Sequence, residues 1–117
     1  MGQLTTHVLD TMNGCPAGGI HVVLYRLEGD AAVPLQSIVL NADGRADGPL
    51  LAGTDLQAGC YRLVFDVAAY FEARGVALPQ PPFLHRVPLE FGVADAAAHY
   101  HVPLLVSPWA YSTYRGS

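Results

Sequence analysis

Three histidines and an arginine carry most of the chemistry this sequence offers. His99 and His101 stand two residues apart in His99-Tyr100-His101-Val102, a β-like run. Side chains two apart in a strand share a face. The two imidazoles therefore project together with Pro103 and Leu105, while Tyr100, Val102, Leu104 and Val106 project the other way. His7 lies in Thr5-Thr6-His7-Val8-Leu9-Asp10. There Thr5, His7 and Leu9 share one face and Thr6, Val8 and Asp10 the other, and alternation does not say which is the core. An imidazole near its ordinary pKa of about 6.5 can take a proton from water at neutral pH. Arg45 follows Asp43-Gly44, a turn-favouring pair. An arginine beside a turn is by default a solvated one. Its guanidinium is nevertheless a planar fork of donors suited to paired carbonyl oxygens or an enolate-like anion. A lone histidine on a strand is more often structural than catalytic, and His21 and His85 are read that way.

The elements that must hold these groups are short and β-rich. Turn signals recur at Asn13-Gly14, Ala17-Gly18-Gly19, Glu28-Gly29-Asp30, Ala42-Asp43-Gly44 and Ala58-Gly59. Between them, β-branched and aromatic runs predict strands over Thr5–Leu9, Ile20–Leu27, Leu35–Leu40 and Tyr61–Val67. Further strands are expected over Leu84–Phe91, His99–Val106 and Trp109–Tyr114. One alanine-rich stretch, Asp66–Arg74 with Gly75 as C-cap, predicts a short helix. Pro79, Pro81 and Pro82 make Leu78–Phe83 an extended connector. The expected architecture is an antiparallel β-sandwich of seven to eight strands with one short helix, in a single domain over 1–117. The second strand is apolar on both faces, which predicts that it is covered on both sides, by the second sheet or by another subunit. The tail to Ser117 is aromatic where floppy tails are polar, so it is expected to be built into the fold.

Composition narrows the partners. The chain is 51% hydrophobic and only 14% charged, against about 25% charged for an ordinary globular protein. So few charges suggest that some surface is buried against other subunits. With a net charge of −4 and no lysine, nucleic-acid binding is set aside, since it needs clustered basic side chains. No stretch is long and apolar enough for a membrane span, and the N-terminal residues lack the pattern of a signal peptide, so a soluble cytoplasmic protein is expected. Cys15 and Cys60 are read as two unpaired thiols, and nothing in the spacing suggests a zinc site.

Three segments together resemble the transthyretin-like family of 5-hydroxyisourate hydrolases. They are Leu4-Thr5-Thr6-His7-Val8-Leu9-Asp10 continuing to Ile20, Asn41-Ala42-Asp43-Gly44-Arg45, and the tail His99 to Ser117 ending in Tyr114-Arg115-Gly116-Ser117. The resemblance spans nearly the whole chain and implies a transthyretin-like sandwich. It also implies hydrolysis of 5-hydroxyisourate, the product of urate oxidase, to 2-oxo-4-hydroxy-4-carboxy-5-ureidoimidazoline, with no cofactor or metal. By the same resemblance His7, Arg45, His101 and Ser117 are catalytic, and Tyr111, Tyr114 and Arg115 contact substrate. His99 falls at the rim, and Gly116 lets the last turn reach the site. The family's assembly is a homotetramer, a dimer of dimers, with sites between the dimers. A histidine base predicts activity falling below about pH 6; which of His7 and His101 is that base stays open. The alternative is a small-ligand carrier like vertebrate transthyretin, whose hormone channel is open and apolar. Histidines and an arginine at channel positions would make such a channel narrow and polar. Trp109 and Leu84-His85-Arg86 depart from the family pattern.

Overall fold

A computed structural model describes residues 1–116. Among them the chain forms two facing sheets, one helix and one 3-10 turn, Gly53–Asp55. The strands are β1 (Gln3–Asp10), β2 (Cys15–Pro16), β3 (His21–Glu28), β4 (Ala31–Val39), β5 (Leu51–Ala52), β6 (Gly59–Phe65), β7 (Val87–Val93), β8 (His99–Val106) and β9 (Tyr111–Thr113). The first sheet runs β2-β1-β8-β9, with β5 also on β1; the second runs β4-β3-β6-β7. All pairings are antiparallel except that of β1 with β8, which is parallel and sets Thr5 opposite His101 and His7 opposite Pro103. The sandwich is thus mostly, not wholly, antiparallel.

Alternation decides the core. In β1, Leu4, Thr6, Val8 and Asp10 are buried while Gln3, Thr5, His7 and Leu9 face outward and are half-covered. Tyr100, Val102, Leu104 and Val106 of β8 join the same core, against Val22, Leu24, Tyr61, Leu63 and Phe65 of the opposing sheet. Burying a side chain of this size contributes about 1.5–3 kcal/mol, so the interior contacts determine which face His7 and His101 are left on. Of the two faces of the second predicted strand, β3, the opposing sheet covers one. Val22 and Leu24 are buried, but the His21, Val23, Tyr25 face is left partly open within one chain.

Other boundaries shift for physical reasons. β4 begins at Ala31 rather than Leu35, because a bulge at the Leu24/Tyr25 register shift absorbs one residue and lets Pro34 sit in an edge strand. β7 begins at Val87, leaving Leu84-His85-Arg86 outside the sheet. The last strand contracts to Tyr111–Thr113 because Ser107 turns the chain, accepting hydrogen bonds at Oγ from the amides of Trp109 and Ala110.

The helix α1 (Val67–Ala73) buries Val67, Ala68, Tyr70 and Phe71. It ends as the glycine predicted: Gly75 has φ +84°, its amide donates to Glu72 O, and that of Val76 donates to Phe71 O, a Schellman closure. A polar clasp ties α1 to the end of β1. Asp10 has no exposed surface. It accepts from the Asn13 amide at 2.9 Å, from Asn13 Nδ2 at 2.7 Å and from Tyr70 Oη at 2.8 Å. Burial alone would raise this carboxyl, but the hydrogen bonds from Asn13, Tyr70 and Met12 outweigh it and hold its pKa below the ordinary value. Its stabilising contribution is therefore complete at neutral pH and is lost only as pH falls through that depressed value. Asp10→Ala strands a buried tyrosine hydroxyl and an amide, and should cost about 3 kcal/mol. A urea midpoint unchanged from the parent protein would refute that.

Candidate active site

The outer edge of β1 explains how Arg45 reaches a histidine from a distant turn. β5 pairs with Gln3 and Leu4 at one end, β2 pairs with Leu9 and Asp10 at the other, and the gap between is filled by Arg45, bridged to His7. The turn that delivers it is organised by Asn41, whose Oδ1 accepts from the amides of Asp43 and Arg45. Gly44 has φ +70°, and its carbonyl accepts from the Val8 amide at 2.9 Å. A Cβ on Gly44 would fall 2.6 Å from Val8 O, so both its conformation and its close approach need glycine. The Asn-Ala-Asp-Gly-Arg motif is thus a device for seating one guanidinium beside one imidazole.

Parallel pairing brings the second histidine across the strand. His7 Nδ1 and His101 Nε2 are 2.6 Å apart, with ring centroids 4.8 Å apart and planes within 18°. Thr5 Oγ1 lies 2.7 Å from His101 Nδ1. Both nitrogens of His101 are therefore engaged. Among the described residues, His7 Nε2 has no hydrogen-bond partner. The tail closes over the pair: Gly116 bridges His101, its amide donating to His101 O at 2.7 Å. A Cβ on Gly116 would stand 2.8 Å from His101 Cδ2.

The electrostatics favour neutral imidazoles. Burial lowers the pKa of His7, followed by the charges of His101 and Arg45. Burial and then Arg45 lower that of His101. A pair that shares one proton between facing nitrogens and lies beside a guanidinium resists a further proton, so it keeps a basic lone pair to lower pH than free histidine does. Among the described residues no group of three or more histidine, cysteine, aspartate or glutamate side chains could hold a metal ion.

His7, Arg45 and His101 are thus brought together. The remaining residues of the expected set lie elsewhere. Tyr111 and Tyr114 are exposed. Tyr114 and Arg115 line a cleft at the sandwich edge with Leu89, Phe91 and Tyr100, and Arg115 stacks its guanidinium 4.2 Å over the Tyr100 ring while donating to His99 O. Among the described residues, no hydrogen bond or ring contact joins these three to the histidine pair. His99 is exposed at the start of β8, His21 meets Ser37 Oγ at 2.6 Å on the other sheet, and His85 lies in the segment before β7. Ser117 lies outside the described residues. Cys15 and Cys60 are unpaired and sit in different sheets. Sequence reasoning passed over Thr5 as a functional residue, although its spacing from His7 already put both on one face.

Comparison with known proteins supplies the lineage. The chain is 59% identical over 116 residues to 5-hydroxyisourate hydrolase 2 of Rhizobium meliloti, covering 99% of this chain and 97% of the relative. The solved 5-hydroxyisourate hydrolase of Klebsiella pneumoniae superposes with a TM-score of 0.82 at 37% identity, each chain covered completely. Sea bream transthyretin in complex with thyroxine superposes with a TM-score of 0.86 at 28% identity, covering 97% of this chain and 94% of that one. The family model described as HIUase/Transthyretin matches residues 4–116. Fold and sequence agree, and the chain belongs to the HIUase/transthyretin family.

Proposed function

We propose that this protein hydrolyses 5-hydroxyisourate to 2-oxo-4-hydroxy-4-carboxy-5-ureidoimidazoline in urate breakdown. One observation carries the mechanism: a histidine pair in which, among the described residues, one nitrogen, His7 Nε2, is left without a partner, in the field of the Arg45 guanidinium. In this reading His7 is the base. Its Nε2 takes a proton from water as the oxygen attacks a ring amide carbonyl, and its Nδ1–H shares the resulting charge with His101. Arg45 neutralises the oxyanion that forms. Collapse then breaks the ring C–N bond, and the proton on His7 Nε2 goes to the departing nitrogen, restoring the neutral pair.

Ser117 and the tail residues Tyr111, Tyr114 and Arg115 remain proposed contacts to substrate. Because the outward face of β1 and β8 is uncovered in one chain, we place the working site between subunits of a homotetramer built as a dimer of dimers. The single domain acts on a small molecule in the cytoplasm. In support, no helix among the described residues is long and apolar enough to cross a membrane, and both cysteines are unpaired, as in a reducing compartment.

The test generates 5-hydroxyisourate in situ from urate with urate oxidase and follows its ultraviolet absorbance with and without protein taken from a tetramer peak. Decay should be faster with protein. The acidic limb of kcat should fall below the ordinary imidazole value of about 6.5, because both histidine pKa values are depressed. Absence of acceleration would overturn the hydrolase, a fully active monomer the intersubunit site, and a limb above pH 6.5 the neutral pair.

A further inference from the structure

His101 is held from three sides, and only two of its contacts are explained by the chemistry so far. The β1–β8 register puts Thr5 directly opposite it and His7 two residues farther along the same face. The imidazole therefore lies across β1, with His7 at Nε2, Thr5 at Nδ1 and Gly116 against the ring carbon Cδ2. Its two hydrogen-bonded nitrogens fix the ring's orientation. What remains to be set is where its one proton sits when it is neutral.

That placement decides what His7 can do. If His101 carries the proton on Nδ1 and donates it to Thr5 Oγ1, its Nε2 must accept from His7 Nδ1–H, and His7 Nε2 is left as a bare lone pair. If instead His101 carries the proton on Nε2 and donates it to His7 Nδ1, then His7 has its own proton on Nε2 and cannot act as a base. A partner at His101 Nδ1 that accepts a hydrogen bond stabilises the first arrangement. A threonine hydroxyl can accept there, and it can also donate during the transient second state.

We propose that Thr5 is a positioning residue for the hydrolysis: its hydroxyl fixes the proton of His101 on Nδ1 and, through His101, keeps His7 Nε2 as the lone pair that meets water. This rests on the hydrolase reading given above. The neighbouring threonine has a different task. Thr6 points into the core, 2% exposed, and donates to Val102 O at 2.7 Å.

Thr5→Val keeps the shape of the side chain and removes the acceptor. An N–H facing an apolar group is costlier than a bare nitrogen, so the proton of His101 moves to Nε2 and His7 acquires the wrong tautomer. The expected result is a fall in kcat of about ten- to a hundredfold, the range for losing a group that orients a functional histidine, with KM within about twofold. Among the described residues, the titratable and charged groups facing the His101 ring are His7 from β1 and Arg45 from the 41–45 turn, both unchanged in this variant. The imidazolium loses one acceptor, so the acidic limb should move further down. Thr5→Ser should restore both rate and limb, and Thr6→Val should alter neither. Long-range proton–nitrogen NMR on ring-labelled protein reads the tautomer without substrate: Nδ1–H on His7 in the parent and in Thr5→Ser, Nε2–H in Thr5→Val. Thr5→Ala replaces the valine variant should that one not fold. A valine or alanine variant with parental kcat and parental tautomer overturns the proposal, as does a serine variant no better than valine. Should the parent fail to speed decay at all, the hydrolase reading falls, while the NMR comparison still decides whether Thr5 sets the tautomer.

Discussion

His7→Asn should lower kcat by about 10²- to 10⁴-fold, the range for removing a general base, while the sandwich stays folded. The side chain is only half-buried on the outward face, so the substitution leaves the core untouched. Asparagine retains a donor that can meet His101 Nε2, so the neighbouring ring keeps its partner and the loss reports proton transfer rather than collapse of the pair. The residual rate should also lose its acidic limb between pH 5 and 7, because no group of suitable pKa then faces water. His101→Asn should cost less, since His101 acts on water only through His7. Steady-state kinetics of the two variants at several pH values decide the matter. If His101→Asn is the more damaging and His7→Asn keeps more than a tenth of the parental kcat, the base is His101 and the order of the pair is reversed.

That asymmetry could not be read before the fold was known. Alternation within β8 already put His99 and His101 on one face, and alternation within β1 put Thr5 with His7, because both statements depend only on the period of a strand. What joins them is the parallel β1–β8 register, a contact between residues more than ninety positions apart that no local pattern specifies. The Asp-Gly turn at Asp43-Gly44 was visible for the same local reason. Its insertion between β2 and β5 on the edge of β1 was not. Glycine again marked the helix end correctly at Gly75, since a positive φ there is a local demand. Pro34 misled one strand boundary, since it sits in an edge strand where a missing amide goes unnoticed, and edge status is a property of the whole sheet. The expectation of a doubly covered second strand came from its apolar outer face, Val23 and Tyr25, which one chain leaves half open. Tyr114 and Arg115 were named from the tail motif, whose spacing carries no information about which side of β8 the chain passes after β9.

Arg45→Ala should reduce kcat/KM by about 10²- to 10³-fold, as removal of a donor aimed at a developing oxyanion does, and it should also move the acidic limb. The two effects come from one charge in different roles. As a donor, the guanidinium stabilises the oxyanion after water attacks. As a fixed cation beside the pair, it lowers the pKa of both His7 and His101. Its loss leaves burial as the main depressing cause, so the limb should rise toward the ordinary imidazole value. Arg45→Lys separates the roles. Lysine keeps a positive charge and so should hold the limb near its parental position, yet it lacks the planar fork and should recover little of the rate. Gly44 and Asn41 are unchanged in both variants, so the turn that seats position 45 persists. Rate and limb can then be compared across alanine, lysine and arginine in one pH series. A lysine variant with full activity would show that charge alone suffices and that the fork has no role. An alanine variant whose limb does not rise would show that Arg45 is not close enough to His7 to act on its proton, and the oxyanion role would fall with it.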